Sequence, residues 1–128
     1  MNAKQIIKMN DNILPQFSTL SDLTRVRLIR VLIEEECSVN ELTSILEIPQ
    51  STVSRHIKIL LEQGWISKRG DGTSNCYCCN LELLPSSYQA LWMVLANDQH
   101  TLYSQDHRRL QTGCSGDQHQ SFGLLCQL

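Results

Sequence analysis

The 128-residue sequence predicts a mainly α-helical domain that carries one small β-hairpin. Three observations lead there. Apolar residues recur at helical spacing along most of the chain, a Pro-containing break separates two short helices in its middle, and a run after Trp65 changes to alternation around an Asp71-Gly72 pair. The chain is long enough for one modest core, and 41% apolar residues suffice to fill it. The domain is expected to cover residues 1–112, with residues 113–128 as a poorly ordered tail.

From Lys4 to Gln16, the residues Ile6, Ile7, Met9, Ile13 and Leu14 form a loose helical pattern that Pro15 is expected to end. The stretch "STLSDLTRVRLIRVLIEEE" offers Ser21 as an N-cap with Asp22 in the first turn, and places Leu23, Val26, Ile29, Leu32 and Ile33 on one face. Arg25, Arg27 and Arg30 are then assigned to its exposed side. The closing Glu run opposes the helix dipole, so the helix should fray near Cys37. Asn40 to Leu46 read as a short helix, and Ile48, which precedes Pro49, is pushed out of it. Pro49 suits the start of the next helix, where Val53, Ile57, Leu60 and Leu61 share one face and Ser51, Thr52, Arg55 and Lys58 the other. Two short helices with a tight turn between them form a helix-turn-helix pattern.

Gly64 should close that helix, and Trp65 and Ile66 begin a strand. The return strand "NCYCCNL" alternates so that Tyr77, Cys79 and Leu81 share a face, and the hairpin reads as a wing. Helical spacing then resumes from Pro85 through Tyr88, Leu91, Trp92, Leu95, Leu102 and Tyr103 as one long, apolar last helix. The text from Gly113 onward, "GCSGDQHQSFGLLCQL", has no sustained period.

The net charge of −2 argues against a nucleic-acid binder by itself. Its distribution reverses that reading. Between Pro49 and Arg69 the cations Arg55, Lys58, Lys68 and Arg69 face only Glu62, while Glu34, Glu35 and Glu36 cluster elsewhere. No run of eighteen apolar residues and no secretory leader is present, so a cytoplasmic protein without membrane contact is expected. In that compartment the six cysteines, Cys37, Cys76, Cys78, Cys79, Cys114 and Cys126, should be thiols, and their spacing is not that of a zinc site. No glycine-rich cofactor loop, no nucleophile with a base in context and no complete metal set is found. Neither catalysis nor a cofactor is expected.

With "LSDLTRVRLIRVL", "VNELTSILEIPQSTVSRHIKILLEQGWI" and "GDGTSNCYCCNL" in that order, the chain resembles the winged-helix repressors of the arsenic-repressor family of bacterial transcription regulators. The resemblance covers roughly Phe17 to Leu81, and the Ser-Thr-Val-Ser-Arg-His-Ile run is its most specific part. It implies a homodimer on double-stranded DNA, released from a palindromic operator by an unknown small effector. It also implies an interface between protomers through the first and last helices, here Ile6, Ile13, Tyr88, Leu91, Trp92, Leu95 and Leu102. DNA contacts would come from Gln50, Ser51, Thr52, Ser54, Arg55, His56 and Lys58 on the second motif helix and from Lys68, Arg69 and Thr73 on the wing. The last helix, up to "DHRRL", looks most like that of regulators joined to an S-adenosylmethionine-dependent methyltransferase. An interaction module associated with such an enzyme is therefore the alternative function.

Some positions depart from the family. Its metal-sensing members carry Cys-Val-Cys-Asp-Leu where Ser38, Val39, Asn40, Glu41 and Leu42 stand here, so both thiolates are missing. Asp98 and His100 match only half of a second family metal site. Glu47 stands for a usual glycine and Pro49 for a usual serine. In the wing, Cys76 replaces an aromatic, Cys78 an outward-facing basic residue and Cys79 an apolar core residue. Cys76 and Cys78 share a strand face, too far apart to bond each other, and are either incidental thiols or a thiol switch that Lys68 and Arg69 activate. His56 is either half buried or a phosphate contact, Trp65 is assigned to the core, and Arg55 is the residue suited to a bidentate contact with guanine.

Overall fold

The computed structural model describes residues 13–70 and 74–113. In chain order the elements are α1 (Leu14–Thr19), α2 (Leu23–Glu34), α3 (Val39–Leu46), α4 (Gln50–Glu62), β1 (Ser67–Arg69), β2 (Cys76–Cys78), a 3₁₀ turn (Leu81–Leu83), α5 (Ser86–Ala96) and α6 (Thr101–Gly113). The mainly helical fold with its hairpin is as the sequence predicts. The expectations for Lys4 to Met9, for the Asp71-Gly72 turn and for the tail lie outside the described residues.

Pro15 stands in the first turn of α1, where its missing N–H has no partner to lose. The N-cap of α2 is Asp22, whose Oδ1 accepts from Thr24 N (2.8 Å) and Arg25 N (3.3 Å). Ser21, the residue expected there, donates its hydroxyl back to Ser18 O at 2.7 Å. Helix α2 stops at Glu34, and Glu35 is extended. Helix α3 begins one residue before the predicted start, because Ser38 and Glu41 form a reciprocal capping box. It ends on Glu47 in the left-handed region, at φ 56°. Pro49 is extended and leads directly into α4, and Gly64, at φ 84°, turns the chain out of that helix.

The hairpin pairs Ser67 with Cys78, Lys68 with Tyr77 and Arg69 with Cys76. Tyr77 also exchanges backbone hydrogen bonds with Cys37 at 3.0 and 2.8 Å, which ties the wing to the end of α2. Tyr77 and Cys79 enter the core and Leu81 packs against it, as the alternation predicts. The centre of that core is Leu28, Ile29 and Leu32 of α2, Leu42, Ile45 and Leu46 of α3, Val53 and Leu60 of α4, and Trp65. Each such side chain removed from water stabilises the fold by about 1.5–3 kcal/mol before entropy is counted.

The predicted long last helix is two helices. Asn97 to His100, a run of four polar residues, breaks it, and α6 packs on α2 and α3. Tyr88 and Trp92 are 2% and 5% exposed within one chain, which removes them from the predicted interface between protomers. Tyr88 stacks on Trp65 at 4.6 Å between centroids and donates its hydroxyl to Gln63 O at 2.6 Å. Trp65 is a core residue as expected, and its indole N–H donates to Gln16 Oε1 at 2.6 Å.

Candidate nucleic-acid interface

Helix α4 is divided lengthwise. Val53, His56, Ile57 and Leu60 are buried, while Gln50, Ser51, Ser54, Arg55 and Lys58 are exposed and Thr52 is half buried. Residues 51, 54, 55 and 58 recur at steps of three and four, so hydroxyls at the helix start and two cations one and two turns further form one outward stripe. The positive end of the helix dipole adds to them. An exposed guanidinium that follows a hydroxyl-bearing turn can reach a base edge while its neighbours meet phosphates.

His56 is not part of that stripe. It is 5% exposed, and Arg25 donates an NH1 hydrogen to its Nδ1 at 3.1 Å. Burial first, then the Arg25 and Arg55 charges against the opposing pull of Asp22, holds its pKa below the ordinary 6.5. A phosphate contact is thereby excluded in favour of the buried alternative, because the ring packs inward from the same turn that points Arg55 outward.

On the wing Lys68 is exposed, and Arg69, with 45% of its side chain exposed, lies 3.4 Å from the buried Glu36 carboxylate. Thr73 lies outside the described residues. The wing cysteines differ from expectation. Cys78 is buried and disulfide-bonded, whereas Cys76 is a thiol. Cys76 is half buried, and its thiol pKa is raised by burial and by Glu36 and Glu41, against a smaller lowering by Arg69. The expected activation of this thiol by nearby cations is therefore reversed. Cys79 is the small buried hydrophobe predicted, with its thiol pushed up to about 12 by burial.

Three arginines placed on an exposed face by the sequence reading instead hold the ends of other helices. Arg25 donates to Thr19 O (2.6 Å) and Ser18 O (3.1 Å) at the end of α1. Arg30 donates to Leu95, Ala96 and Asp98 carbonyls at the end of α5 and lies 4.0 Å from the Tyr103 ring centroid. Arg27 is buried, donates to Leu46 O at the end of α3 and grips Asp106 of α6 through two 2.8 Å bonds. Terminal carbonyls carry the negative end of each dipole, which is where a guanidinium is most favourable. A signal for Arg27 was present: the buried Val31 stands four residues after it.

The "DHRRL" run is explained by the same contacts. Asp106 and Leu110 are buried, His107 Nδ1 lies 2.9 Å from Glu34, and Arg109 donates to Ile45 O and to Asp106. Between α2 and α6 lies a groove of about 250 Å³, lined by Arg30, Val31, Glu34, Tyr103, Ser104, Asp106 and His107. Ser38, at a position where the family's metal sensors have a thiolate, is instead engaged as the N-cap of α3.

Residues 22–68 match the family of bacterial regulatory proteins described as the arsR family. The arsenical resistance operon repressor of Bacillus subtilis is 37% identical over 68 residues, which are 52% of this chain and 65% of that repressor. The chain thus spans just under two thirds of that relative. Among solved structures, HlyU from Vibrio cholerae superposes with a TM-score of 0.57 at 24% identity, over 69% of this chain and 91% of that one. The transcriptional repressor BigR from Xylella fastidiosa does so with a TM-score of 0.56 at 24% identity, over 77% and 100%.

Proposed function

We propose that this chain, whose residues 22–68 match the arsR family, is a DNA-binding transcriptional repressor of that family that lays α4 in the major groove. The observation that carries the reading is the outward stripe of Ser51, Ser54, Arg55 and Lys58, on a helix whose opposite face is locked into the core. Arg55 is assigned to base edges and Lys58 to phosphate, with Lys68 of the wing over flanking DNA.

The finer reading is a homodimer on a two-fold operator, with recognition helices roughly 34 Å apart. With Tyr88 and Trp92 in the core, its contact surface is drawn from exposed apolar side chains on the terminal elements, Leu14, Phe17, Met93 and Val94, beside the half-buried Ile13, Leu91, Leu95 and Leu102. Release by a small effector completes it, and the groove between α2 and α6, with its convergent polar groups, is suited to such a ligand. The methyltransferase-associated alternative gains no support from the relatives. An electrophoretic shift with DNA from upstream of the protein's own gene tests the reading. Retarded migration that a scrambled duplex fails to compete supports repression at an operator, and equal competition by both duplexes refutes it.

A further inference from the structure

Resting on α4 as the recognition helix, we infer that Asp106 is a positioning residue for DNA binding: through Arg27 and Arg109 it lets α6 hold the turn that aims α4. The last two carbonyls of α3 each receive a guanidinium, Ile45 O from Arg109 Nε and Leu46 O from Arg27 at 2.8 Å. Both guanidiniums are joined by one buried carboxylate, Asp106, whose Oδ1 lies 2.8 Å from Arg27 and 3.1 Å from Arg109 and whose Oδ2 lies 2.8 Å from Arg27.

The turn that follows opens on a strained residue. Its first residue, Glu47, is a non-glycine residue in the left-handed region, a conformation that costs an L-residue about 1–2 kcal/mol. Pro49 at the start of α4 contributes no side-chain cap. Ile48 packs the turn against the core, and from α6 Arg109 adds a contact at 3.8 Å to the Glu47 carboxylate. Helix α6 thus fixes where the stripe on α4 points without lying on that stripe.

Helix α6 also touches α2 at a second, independent place, the exposed Glu34–His107 pair, which supplies the control. In Arg109→Gln the two carbonyls lose one donor while the Arg27–Asp106 pair stays. The ratio of operator to scrambled-DNA affinity, read by fluorescence anisotropy, should fall about tenfold, within the range that residues outside a binding site impose on it. Asp106→Asn, which keeps the side-chain size, should move the ratio the same way, and Glu34→Gln should leave it within about twofold. A wild-type ratio in Arg109→Gln overturns the inference. So does an equal loss on both duplexes, which would make Arg109 a direct phosphate contact. Amide hydrogen exchange at Glu47, Ile48 and Gln50 gives a reading without DNA. It should quicken in Arg109→Gln and not in Glu34→Gln, and unchanged rates overturn the clamp whether or not the wild type binds an operator. Loss of operator binding by the wild type, with quickened exchange in Arg109→Gln, refutes the proposed function and leaves the clamp standing.

Discussion

Removing the Asp106 carboxylate should destabilise the protein more than removing either guanidinium it holds. The Arg27 and Asp106 side chains are 6% and 3% exposed, so Asp106→Ala leaves a guanidinium out of water with only Leu46 O to accept from it, beside a second cation. Breaking a buried pair in this way costs about 3–5 kcal/mol. Arg27→Met is milder, because Asp106 keeps Arg109 at 3.1 Å and only hydrogen bonds are lost, about 1–3 kcal/mol. The double variant Arg27→Met with Asp106→Leu should lose less than Asp106→Ala, since no unpaired charge remains beside Leu46 O. Urea unfolding followed by the fluorescence of the buried Trp65 and Trp92 measures all three. A loss below about 1 kcal/mol for Asp106→Ala, or an Arg27→Met loss exceeding it, would show that the pair is not the buried anchor of α6.

Acid should weaken the fold through His56. Its folded pKa lies below 6.5, so as pH falls through 6.5 the unfolded chain takes up a proton that the native ring refuses, and stability drops until the folded pKa is passed. The fall in Tm between about pH 7.5 and 5.5 should be smaller in His56→Gln, and an identical fall in both proteins contradicts this. Glu47→Gly should raise stability by roughly 0.5–1 kcal/mol by relieving the left-handed strain, with the exposed contact to Arg109 worth little; a loss of Tm would mean the carboxylate matters more than the backbone. Native-state alkylation at neutral pH should spare Cys79, buried and with its thiol pushed up to about 12, and label Cys76 slowly; fast modification of Cys79 before unfolding would contradict the packing.

Element types were legible because apolar spacing reports buried faces directly. Val53, Ile57 and Leu60 face the core as their spacing predicts, and the opposite stripe on α4 follows from it. What spacing does not report is the partner of a charge. Arg25, Arg27 and Arg30 differ in environment although their periodicity suggested one shared polar face, because the carbonyls they cap lie 6 to 68 residues away. His56 was ambiguous for the same reason, its fate depending on Arg25 from another helix. The break at Asn97 to His100 carried a signal in its four polar residues, but the apolar residues on both sides fit one continuous period. Tyr88 and Trp92 are expected at an interface between protomers because the resemblance implies one through the last helix. The chain buries them within itself, Tyr88 stacked on Trp65 and Trp92 beside the Arg30 guanidinium.

The central claim is that the stripe on α4 reads DNA, and Arg55 is its sharpest member. The most direct measurement is an anisotropy titration of wild type, Arg55→Ala and Lys58→Ala against an operator duplex and a scrambled one at several salt concentrations. Arg55→Ala should lose about 1–3 kcal/mol on the operator and much less on scrambled DNA, relaxing preference at one position per half-site. Lys58→Ala should weaken both duplexes alike and reduce the salt slope by about one. Equal losses on the two duplexes for both variants, or no loss for either, would contradict the account.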